Sequence, residues 1–556
     1  MILIALTAAA LAAEPPAPPI RLARGNSAAV EIGGSDVQEA ILPLRAGESA
    51  EVSVLQSGVD VVVELFGPSG ALLDSVDSPN GRQGPEPVAL IARETGAYRL
   101  RIRPIAPNEP RGHITVDVAM LRSVAETRRL IAERRRARDA AAGWLARQNA
   151  PLPAAGMLGT ADPLPPFDSL AAAANVIGLG EATHGSRELN DFRLSLVQRL
   201  VVRHGYRLIG LEDSASRWRA LEEFAAGRTA TPDAALEWGW IGRRTRRALL
   251  DWVRQWNVEH PADRVRIVGL DAQDNEADRE GLGSFLGRAY GEAGAATWAA
   301  QAEEIAAADA QSAVFGDSGT SAALRQSIKE IVAQLAMDAP LLRARFGDAE
   351  YGLAFEAALN LSAFVDFNAG SGALSHSRDW YMAAALIRAM GEGPPRPKAI
   401  YWGHNAHVSA AATRWGPTGA LLRQTFGCGY RAVATTFGGG DTVVQIPGDP
   451  QDRLVSARLA APSPDEERVE TVLASIRPGA HLSAWRCGDQ GELPAWLAAA
   501  RPMRWVGALY LPDSAPSASY QPYALTAAFD AVAYFPTVGA EAVPVDRPVV
   551  PPRRRP

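Results

Sequence analysis

Short apolar runs alternate with amphipathic stretches over residues 167–540, and this rhythm predicts a sheet covered by helices. Runs typical of strands buried on both faces occupy residues 176–179, 206–211, 265–270 and 399–402. Between them, apolar residues recur at helical spacing, as they do after Ser186, which can cap a helix there. Alternating strands and helices are typical of an α/β fold with a central, mainly parallel sheet and helices on both faces.

Residues 21–121 follow a different pattern, in which β-forming residues cluster or alternate. Gly- and Pro-bearing turns separate the runs at 52–55, 61–65 and 98–102. About eight short strands in a segment of this length predict a small all-β sandwich ahead of the α/β part. The stretches 66–77 and 94–102 resemble the pre-peptidase C-terminal type of β-sandwich that accompanies many secreted bacterial enzymes.

Composition places the remaining boundaries. Residues 122–166 combine a helix rich in Arg, Ala and Glu with a Pro-rich loop, and this composition predicts a linker. Residues 277–390 are largely helical and predict a large insertion within the α/β domain at 167–540. The last residues, 541–556, end in a short Arg run and are expected to form a flexible tail.

The overall composition describes a globular protein, in which hydrophobic residues make up 47% of the 556 residues and charged residues 21%. The net charge of −6 gives no reason to expect nucleic acid as a partner, and no stretch is long and apolar enough for a membrane span. Residues 1–20 are similar to a signal peptide, with an Ala-Leu-Ala cleavage pattern at 10–12 but no positive charge before the apolar core. We therefore expect a periplasmic or secreted protein whose partner is a small molecule.

The chain has two cysteines, Cys428 and Cys487. In an exported protein they could form a disulfide, and they could equally be two small, partly buried side chains. Neither belongs to a CxxC or a metal-ligand pair, so the sequence leaves both alternatives open.

Ionisable side chains follow four of the predicted strands at the point where each strand ends. These residues are Glu181 with His184, Glu212 with Asp213, Asp271, and His404 with His407. Because the carboxyl ends of parallel strands meet at one edge of a sheet, we expect them to share the rim where α/β proteins place their sites. The chain contains eight histidines, and three of them fall in these turns. This coincidence favours a functional site over a set of ordinary turns.

A histidine beside a carboxylate is the usual arrangement for a general base, because the carboxylate fixes the tautomer and raises the basicity of the ring. His184 beside Glu181 fits that role, and the two further histidines could stabilise an oxyanion or protonate a leaving group. Arg193, about two helical turns after Ser186, could act as an electrostatic clamp. The sequence has no G-x-S-x-G motif and no acyl-transfer cysteine motif, so a hydrolase built here would activate water directly.

The same side chains offer a second chemistry. Nitrogen and oxygen donors of the kind that Zn²⁺ or Fe²⁺ accept are available from His404 and His407 with Glu181, Asp271 or His184. General-base catalysis needs no cofactor. The alternative is a divalent-metal hydrolase, or an exported metal- or ligand-binding protein without catalysis, and spacing leaves it open.

Several short segments, taken in order, carry a family resemblance. They are the turn 180–185, the helix of Arg193, the strand end at Glu212, and the segments 378–379, 403–407, 430–438 and 528–530. In this order and spacing they resemble the erythromycin esterase family over residues 175–536. The resemblance implies a hydrolase that opens a macrolide lactone.

The resemblance also implies a role for the candidate residues, with His184 as the base that activates water. The residues expected to support it or to line the reaction centre are Glu181, Glu212, Arg193, His404 and His407. We take as candidates for substrate binding Asp213, Asp271 and Arg378. The β-sandwich and the export signal differ from the antibiotic-resistance enzymes, since a resistance esterase is expected to act in the cytoplasm, and the substrate therefore stays open.

Overall fold

The computed structural model describes residues 17–542, except for 79, 230–241, 274, 312–319, 369–376, 392–395, 412–415, 447–453, 465, 486, 489–492 and 512–515. The expected signal peptide lies almost wholly outside the described residues. The chain divides into two compact units, which are Met1–Arg136 with Asp513–Ser519, and Ala137–Pro512 with Tyr520–Pro556. Within the described part of the chain, no helix combines the length and apolar character needed to cross a membrane.

The first unit contains a β-sandwich of two sheets. Its strands are β1 (Ile20–Arg21), β2 (Ser27–Ile32), β3 (Gln38–Leu44), β4 (Ser49–Ser57), β5 (Val61–Phe66), β6 (Leu72–Val76), β7 (Gln83–Ile91), β8 (Gly96–Pro104) and β9 (Gly112–Arg122). One sheet has the order β1-β3-β8-β5-β6 and the other β2-β9-β4-β7. Alternate residues of a strand face the same side, and Val52, Val54, Leu100 and Ile102 are accordingly buried between the sheets. The small all-β sandwich predicted ahead of the α/β part is confirmed.

Residues 513–519 join the first unit, although the sequence pattern places them inside the α/β domain. In the 3₁₀ turn Pro516–Ser519, the Ser517 hydroxyl contacts the Asp74 carboxylate and the Ser75 carbonyl oxygen. The boundary drawn from the sequence is corrected here. Partners that lie 443 residues apart leave no trace in local periodicity.

The second unit is built on a mainly parallel sheet. The strands of this unit are β10 (Asn149–Pro151), β11 (Val176–Glu181), β12 (Tyr206–Ser214), β13 (Arg266–Asp271), β14 (Lys398–His404), β15 (Tyr430–Gln445), β16 (Leu454–Leu459), β17 (His481–Ala484), β18 (Ala500–Arg504), β19 (Tyr520–Ala524) and β20 (Ala531–Val538). The sheet has the order β10-β17-β20-β15-β11-β14-β12-β13, with β16 paired to β15, while β18 and β19 pair with each other. Neighbouring strands from β20 to β13 are parallel, and β10, β16 and β17 are antiparallel additions.

The helices of the described residues follow the predicted alternation. They are α1 (Val124–Ala146), α2 (Pro165–Ala173), α3 (Arg187–His204), α4 (Ala215–Ala225), α5 (Arg243–Glu259), α6 (Glu276–Gln311), α7 (Ala322–Met337), α8 (Ala339–Phe346), α9 (Asp348–Phe367), α10 (Ser377–Ala389), α11 (Asn405–Val408), α12 (Thr418–Phe426), α13 (Val469–Ile476), α14 (Ala495–Ala498) and α15 (Leu525–Ala528).

Helices cover both faces of this sheet. Ile177 and Leu179 of β11 belong to one buried apolar cluster together with Phe192 of α3. Val176 of the same strand belongs to a second cluster, which contains Met382 of α10. Because successive side chains of a strand point to opposite faces, the two clusters lie on the two sides of the sheet. The predicted α/β fold with helices on both faces is confirmed.

The large helical insertion is also present. Helices α6 to α9 share an apolar cluster of their own, with Phe285 and Leu361 buried in it. The predicted helical stretch 277–390 includes α10 as well, but α10 packs on the sheet through Met382 and Leu386.

Two further sequence-level questions are answered by the fold. Cys428 and Cys487 form a disulfide, which joins the 3₁₀ turn before β15 to the segment after β17. Glu541 is only 4% exposed and hydrogen-bonded, so it belongs to the packed domain and not to a flexible tail. Residues 543–556 lie outside the described residues.

Candidate active site

The four strand ends that carry ionisable residues meet at one edge of the parallel sheet. Strands β11, β14, β12 and β13 are successive neighbours. Glu181 lies opposite His404, and Asp271 lies opposite Ser214, two residues beyond Glu212. Parallel strands paired in this way end at the same level, so their terminal side chains share one rim.

The turn after β11 brings a histidine back onto the last residue of that strand. His184 Nδ1 lies 2.6 Å from Glu181 Oε1. The Ser186 hydroxyl accepts a hydrogen bond from Leu189 N and so begins α3 immediately after the turn. The His184 side chain is 23% exposed and that of Glu181 is 6% exposed, so water reaches the imidazole and not the carboxylate.

Arg193, on the second turn of α3, binds the other oxygen of Glu181. Its guanidinium also donates to Asn190 Oδ1 at 2.6 Å and lies 4.2 Å from the centroid of the Trp402 ring. The Arg193 side chain is 2% exposed. Burial lowers the pKa of Arg193 to about 10, and at that value the guanidinium is still charged at neutral pH.

Glu181 is therefore a buried carboxylate with a fixed positive partner. Burial by itself raises the pKa of Glu181, but the charge of Arg193 and the hydrogen bond to His184 outweigh it and hold the pKa below its usual range. An ionised carboxylate only accepts hydrogen bonds, so His184 Nδ1 is the donor in this pair. The neutral ring then carries its lone pair on Nε2, as a general base requires.

His404, at the end of β14, is held in the opposite tautomer. Its Nδ1 accepts a hydrogen bond from Ala406 N at 3.2 Å, so the proton of the neutral ring is on Nε2. Within the described residues, His404 Nε2 is buried and has no hydrogen-bond partner. Burial and the nearby His184 lower the pKa of His404 to about 3, which keeps the ring neutral. The ring centroids of His184 and His404 are 5.4 Å apart, so the two rings are neighbours.

Glu212 of β12 connects His404 to the next part of the cluster. Its Oε2 accepts from the backbone N of His404 at 2.6 Å, and its Oε1 lies 3.1 Å from Arg378 Nη2 and 3.3 Å from His407 Nε2. Burial raises the pKa of Glu212, but His407 and Arg378 outweigh it, and the pKa is well below its usual range. A Cβ on Gly403 would lie 2.9 Å from Glu212 Oε2, so any larger residue there would displace this carboxylate.

Arg378, at the start of α10, binds Asp271 with two of its nitrogens. Its Nε lies 3.0 Å from Asp271 Oδ1, and its Nη2 lies 2.6 Å from Asp271 Oδ2. Burial lowers the pKa of Arg378, but Asp271 and Glu212 outweigh it, so the pKa is raised and the guanidinium stays charged. Asp271 thus fixes the arginine that in turn fixes Glu212.

Asp379 is a member of the cluster that sequence reasoning missed. Its Oδ1 accepts from His407 Nδ1 at 2.8 Å, from Thr418 N at 2.8 Å and from Thr418 Oγ1 at 2.7 Å. Burial lowers the pKa of His407, but Asp379 and Glu212 outweigh it and raise the pKa above its ordinary value. The signal was available in the Arg-Asp pair at 378–379, of which only Arg378 was selected.

The cluster lies within a segment that a sequence comparison identifies. The sequence model of the erythromycin esterase family matches residues 201–538, more than half of the chain. This chain belongs to the erythromycin esterase family. The match includes Glu212, Asp271, Arg378 and the two histidines of β14 and α11, and membership supports a hydrolase. Glu181, His184 and Arg193 precede the matched segment, so their assignment rests on the geometry described above.

Solved structures share the fold of this erythromycin esterase family member. A Bacillus cereus protein has 20% sequence identity and a TM-score of 0.60, covering 72% of this chain and 98% of its own. A succinoglycan biosynthesis protein has 16% identity and a TM-score of 0.57, covering 72% and 97%. A mutant of the erythromycin esterase EreC in its open conformation has 20% identity and a TM-score of 0.53, covering 68% and 95%. No curated protein sequence matches the chain significantly.

Asp213, a candidate for substrate binding, pairs with an arginine of α5. Its Oδ2 pairs with Arg246 Nε at 3.0 Å, and its Oδ1 accepts from Ser214 N at 2.9 Å. The strand is irregular at this point, because its register with β13 shifts between Leu211 and Ser214. Asp213 stays a candidate for substrate binding.

The donor set does not fit a metal ion. Within the described residues, no group of three or more His, Cys, Asp or Glu side chains is arranged to hold one. Glu181 is paired with Arg193, and Glu212 and Asp271 are both paired with Arg378. Because a guanidinium already compensates each of these carboxylates and would repel a second cation, the cluster is built for ion pairs and not for coordination.

A cavity of about 460 Å³ lies elsewhere in this unit, between the edge strand β13 and helices α4, α9 and α10. None of the candidate residues lines it. Its charged side chains pair with one another, as Arg266 does with Glu222 at 3.2 Å and Arg388 with Glu356 at 2.9 Å.

Proposed function

We propose that this protein hydrolyses an ester or lactone bond with His184 as the general base that activates water. The observation that carries the proposal is the position of the His184 ring, with Nδ1 held 2.6 Å from the ionised Glu181 and the side chain 23% exposed. Orientation by a carboxylate and access to water are the two requirements for such a base.

The first step is attack by water on the carbonyl carbon of the substrate. His184 Nε2 takes a proton from the water as its oxygen bonds to that carbon, and the carbonyl π electrons move onto oxygen. Glu181 stabilises the resulting imidazolium through Nδ1, and Arg193 keeps Glu181 ionised. A carboxylate in this position also prevents rotation of the ring between proton transfers.

His404 supplies the donor for the oxyanion. Its Nε2 is buried and has no partner within the described residues. The ring is neutral at neutral pH because the pKa of His404 is lowered to about 3, and its single proton is on Nε2 because Nδ1 accepts from Ala406 N. A preorganised donor aimed at a developing negative charge is worth about 10²- to 10³-fold in rate.

The second step breaks the bond to the leaving oxygen. The tetrahedral intermediate collapses, and the His184 imidazolium returns its proton to the leaving alkoxide. An ester yields a carboxylic acid and an alcohol, and a lactone yields one hydroxy acid. Glu212, held by Arg378 and His407, keeps the His404 backbone in place during both steps through its 2.6 Å hydrogen bond.

A macrolide lactone is the first substrate to examine, because the family description and the name of the EreC relative both refer to erythromycin. The Trp505 ring lies edge-on to His404, with centroids 5.6 Å apart, and offers an apolar wall beside the reacting groups. Such a wall suits a neutral ester better than a charged one.

The experiment is hydrolysis of a panel of esters and lactones, including erythromycin, by the full-length protein in H₂¹⁸O with enzyme in excess. Direct attack by water places ¹⁸O in the acid product during the first turnover and leaves the protein mass unchanged throughout. An acyl adduct on the protein, or ¹⁶O in the acid of that first turnover, would contradict the proposed mechanism. Absence of turnover across the whole panel would contradict the proposed activity.

We also propose that the protein is exported. Two features support this, the apolar sequence at 1–20 and the disulfide between Cys428 and Cys487, since disulfides persist in oxidising compartments. Mass spectrometry of the protein recovered from a periplasmic extract is expected to show cleavage after Ala12 and no free thiol. Recovery of an uncleaved, reduced protein from the cytoplasm would contradict export.

A further inference from the structure

The chain that follows β20 pairs with the turn that carries His184. Arg187 N donates to Gly539 O at 2.9 Å, Glu541 N donates to Gly185 O at 2.8 Å, and Ser186 and Ala540 form an antiparallel bridge between them. A short stretch of backbone at 539–541 therefore borders the turn on the side of its entry into α3. This stretch follows the segment that the family comparison matches, which ends at residue 538.

The side chain of Glu541 is buried beneath this backbone contact and is 4% exposed. Its Oε1 accepts from Thr245 Oγ1 at 3.0 Å and from Thr245 N at 3.3 Å, and Arg244 Nε lies 3.4 Å away. Its Oε2 accepts from Asn190 Nδ2 at 3.2 Å. The carboxylate thus joins the first turn of α5 to the first turn of α3.

Asn190 connects Glu541 to the proposed catalytic residues through hydrogen bonds. Its Nδ2 donates one hydrogen to Glu541 and the other to His184 O at 3.0 Å. With both amide hydrogens engaged, only the Oδ1 side remains, and it accepts from Arg193 Nη2 at 2.6 Å. Arg193 in turn binds the oxygen of Glu181 that His184 does not use. The Asn190 amide has a single orientation because its NH₂ faces two acceptors, Glu541 and His184 O, and its Oδ1 faces a donor, Arg193.

We propose that Glu541 is a positioning residue for the His184–Glu181 pair and acts through Asn190 and Arg193. The proposal rests on the function proposed above. Glu541 itself touches neither the reacting imidazole nor the carboxylate. Glu541 orients the Asn190 amide. The oriented amide positions the Arg193 guanidinium, and Arg193 in turn positions the Glu181 carboxylate.

Replacement of the Glu541 carboxylate by an amide that can donate is expected to reverse the orientation of the Asn190 amide. In Glu541→Gln, an NH₂ group can face Asn190. Asn190 then turns its Oδ1 toward that group to accept a hydrogen bond, and this rotation places its own NH₂ toward Arg193. Two donors cannot share a hydrogen bond, so Arg193 loses an acceptor and the support of Glu181 loosens. Loss of a partner one step removed from a reacting group typically costs about 10- to 100-fold in activity.

The matched control is Glu188→Gln. Glu188 is also buried at 7% exposed, lies on the first turn of α3, and holds the same backbone stretch by accepting from Gly539 N at 2.6 Å. Its other contact is with Arg187 and not with Asn190. Both variants weaken side-chain contacts that hold residues 539–541 in place, but only Glu541→Gln is expected to disturb the orientation of the Asn190 amide.

The test measures kcat and KM of the full-length variants on p-nitrophenyl acetate and on erythromycin. Glu541→Gln is expected to lower kcat at least about tenfold with KM within about twofold, and Glu188→Gln to leave kcat within about twofold. In an Asn190→Ala background, Glu541→Gln is expected to have no further effect on kcat, because the side chain that connects Glu541 to Arg193 is already absent. Equal losses in the two Glu variants, or additive losses with Asn190→Ala, would overturn the proposal.

His184→Gln, measured beside these variants, separates the two levels of the argument. If His184→Gln retains activity, the proposed base is wrong. If His184→Gln is inactive and Glu541→Gln is normal, only the positioning role is wrong. A crystal structure of Glu541→Gln gives a readout that needs no turnover: the contact between Arg193 and Glu181 is expected to lengthen or break, and an unchanged cluster overturns the proposal.

Discussion

Glu181 and His404 lie directly opposite each other, as the terminal residues of two adjacent parallel strands. Glu181 accepts from His184 Nδ1, whereas His404 Nδ1 is itself an acceptor, so the neutral forms of the two neighbouring imidazoles are opposite tautomers. One ring therefore offers a lone pair and the other an N–H to a group between them. A water and a carbonyl are a matching pair of reactants for that arrangement.

Substitution of the proposed base tests the central assignment. His184→Ala is expected to lower kcat at least about 10²-fold, the usual scale of acid–base catalysis. The free energy of unfolding should change by less than about 1 kcal/mol, because Glu181 keeps its partner Arg193 and the lost ring is partly exposed. His113→Ala, in an exposed position of β9, serves as the control. A folded His184→Ala variant with full activity would show that another group activates water.

The low pKa of His404 predicts a particular dependence of stability on pH. Its folded-state pKa of about 3 lies below the ordinary value of 6.5, so the unfolded chain binds a proton that the folded protein refuses. The free energy of unfolding therefore decreases as the pH falls below 6.5, and the contribution of His404 to this decrease is about 2 kcal/mol at pH 5. Glu181 and Glu212, whose pKa values are lowered, withdraw stability only below the ordinary Glu value of 4.5.

Urea unfolding of wild type and His404→Gln at pH 7 and pH 5 isolates that contribution. The wild-type protein is expected to lose more stability than the variant over this interval, since Gln takes up no proton. Equal losses would mean that His404 is protonated in the folded protein, and it could not then be a neutral donor. At pH 7 the same variant should show a kcat reduced by about 10²-fold through loss of the oxyanion donor.

Asp379 is expected to matter for both stability and the charge of His407. The pKa of His407 is raised, so its stabilising contribution is complete below about 6.5 and is lost as the pH rises through the folded-state value. Asp379→Asn should therefore be less stable than wild type by about 1–3 kcal/mol at pH 6, and the difference should shrink at pH 9. Asp263→Asn, whose carboxylate is half exposed beside Arg207, should stay within about 0.5 kcal/mol. A difference that grows with pH would contradict the assignment.

Asp213, near the end of β12, and Asp271, at the end of β13, should behave differently, although both follow an apolar run in the sequence. Asp271→Asn removes a buried partner of Arg378 and should cost about 3 kcal/mol of unfolding free energy, with a lower kcat. Asp213→Asn affects a partly exposed pair with Arg246, so it should cost less than about 1 kcal/mol and leave kcat within about twofold. Denaturant unfolding and steady-state kinetics measure both. A large kcat loss in Asp213→Asn would show that this residue acts in the site.

The sequence by itself determined which ionisable side chains share one rim of the sheet. Apolar runs that end in Glu181, Glu212, Asp271 and His404 predicted parallel strands, and parallel strands bring their carboxyl ends to one rim whatever the details of packing. The Ser186 cap and the helical spacing after it likewise placed Arg193 on the helix behind the turn. These inferences depend on local periodicity and a topological rule, which a single sequence contains.

Only the tertiary structure decided which group pairs with which. Four pairings depend on contacts between segments that are distant in the sequence. They are Arg378 with Asp271, Arg246 with Asp213, Asp379 with His407, and Glu541 with Asn190. The assignment of 513–519 to the β-sandwich unit has the same origin. Hydrogen bonds and ion pairs act over about 3 Å in space, whereas the periodicity of a sequence reports only what lies a few residues away along the chain.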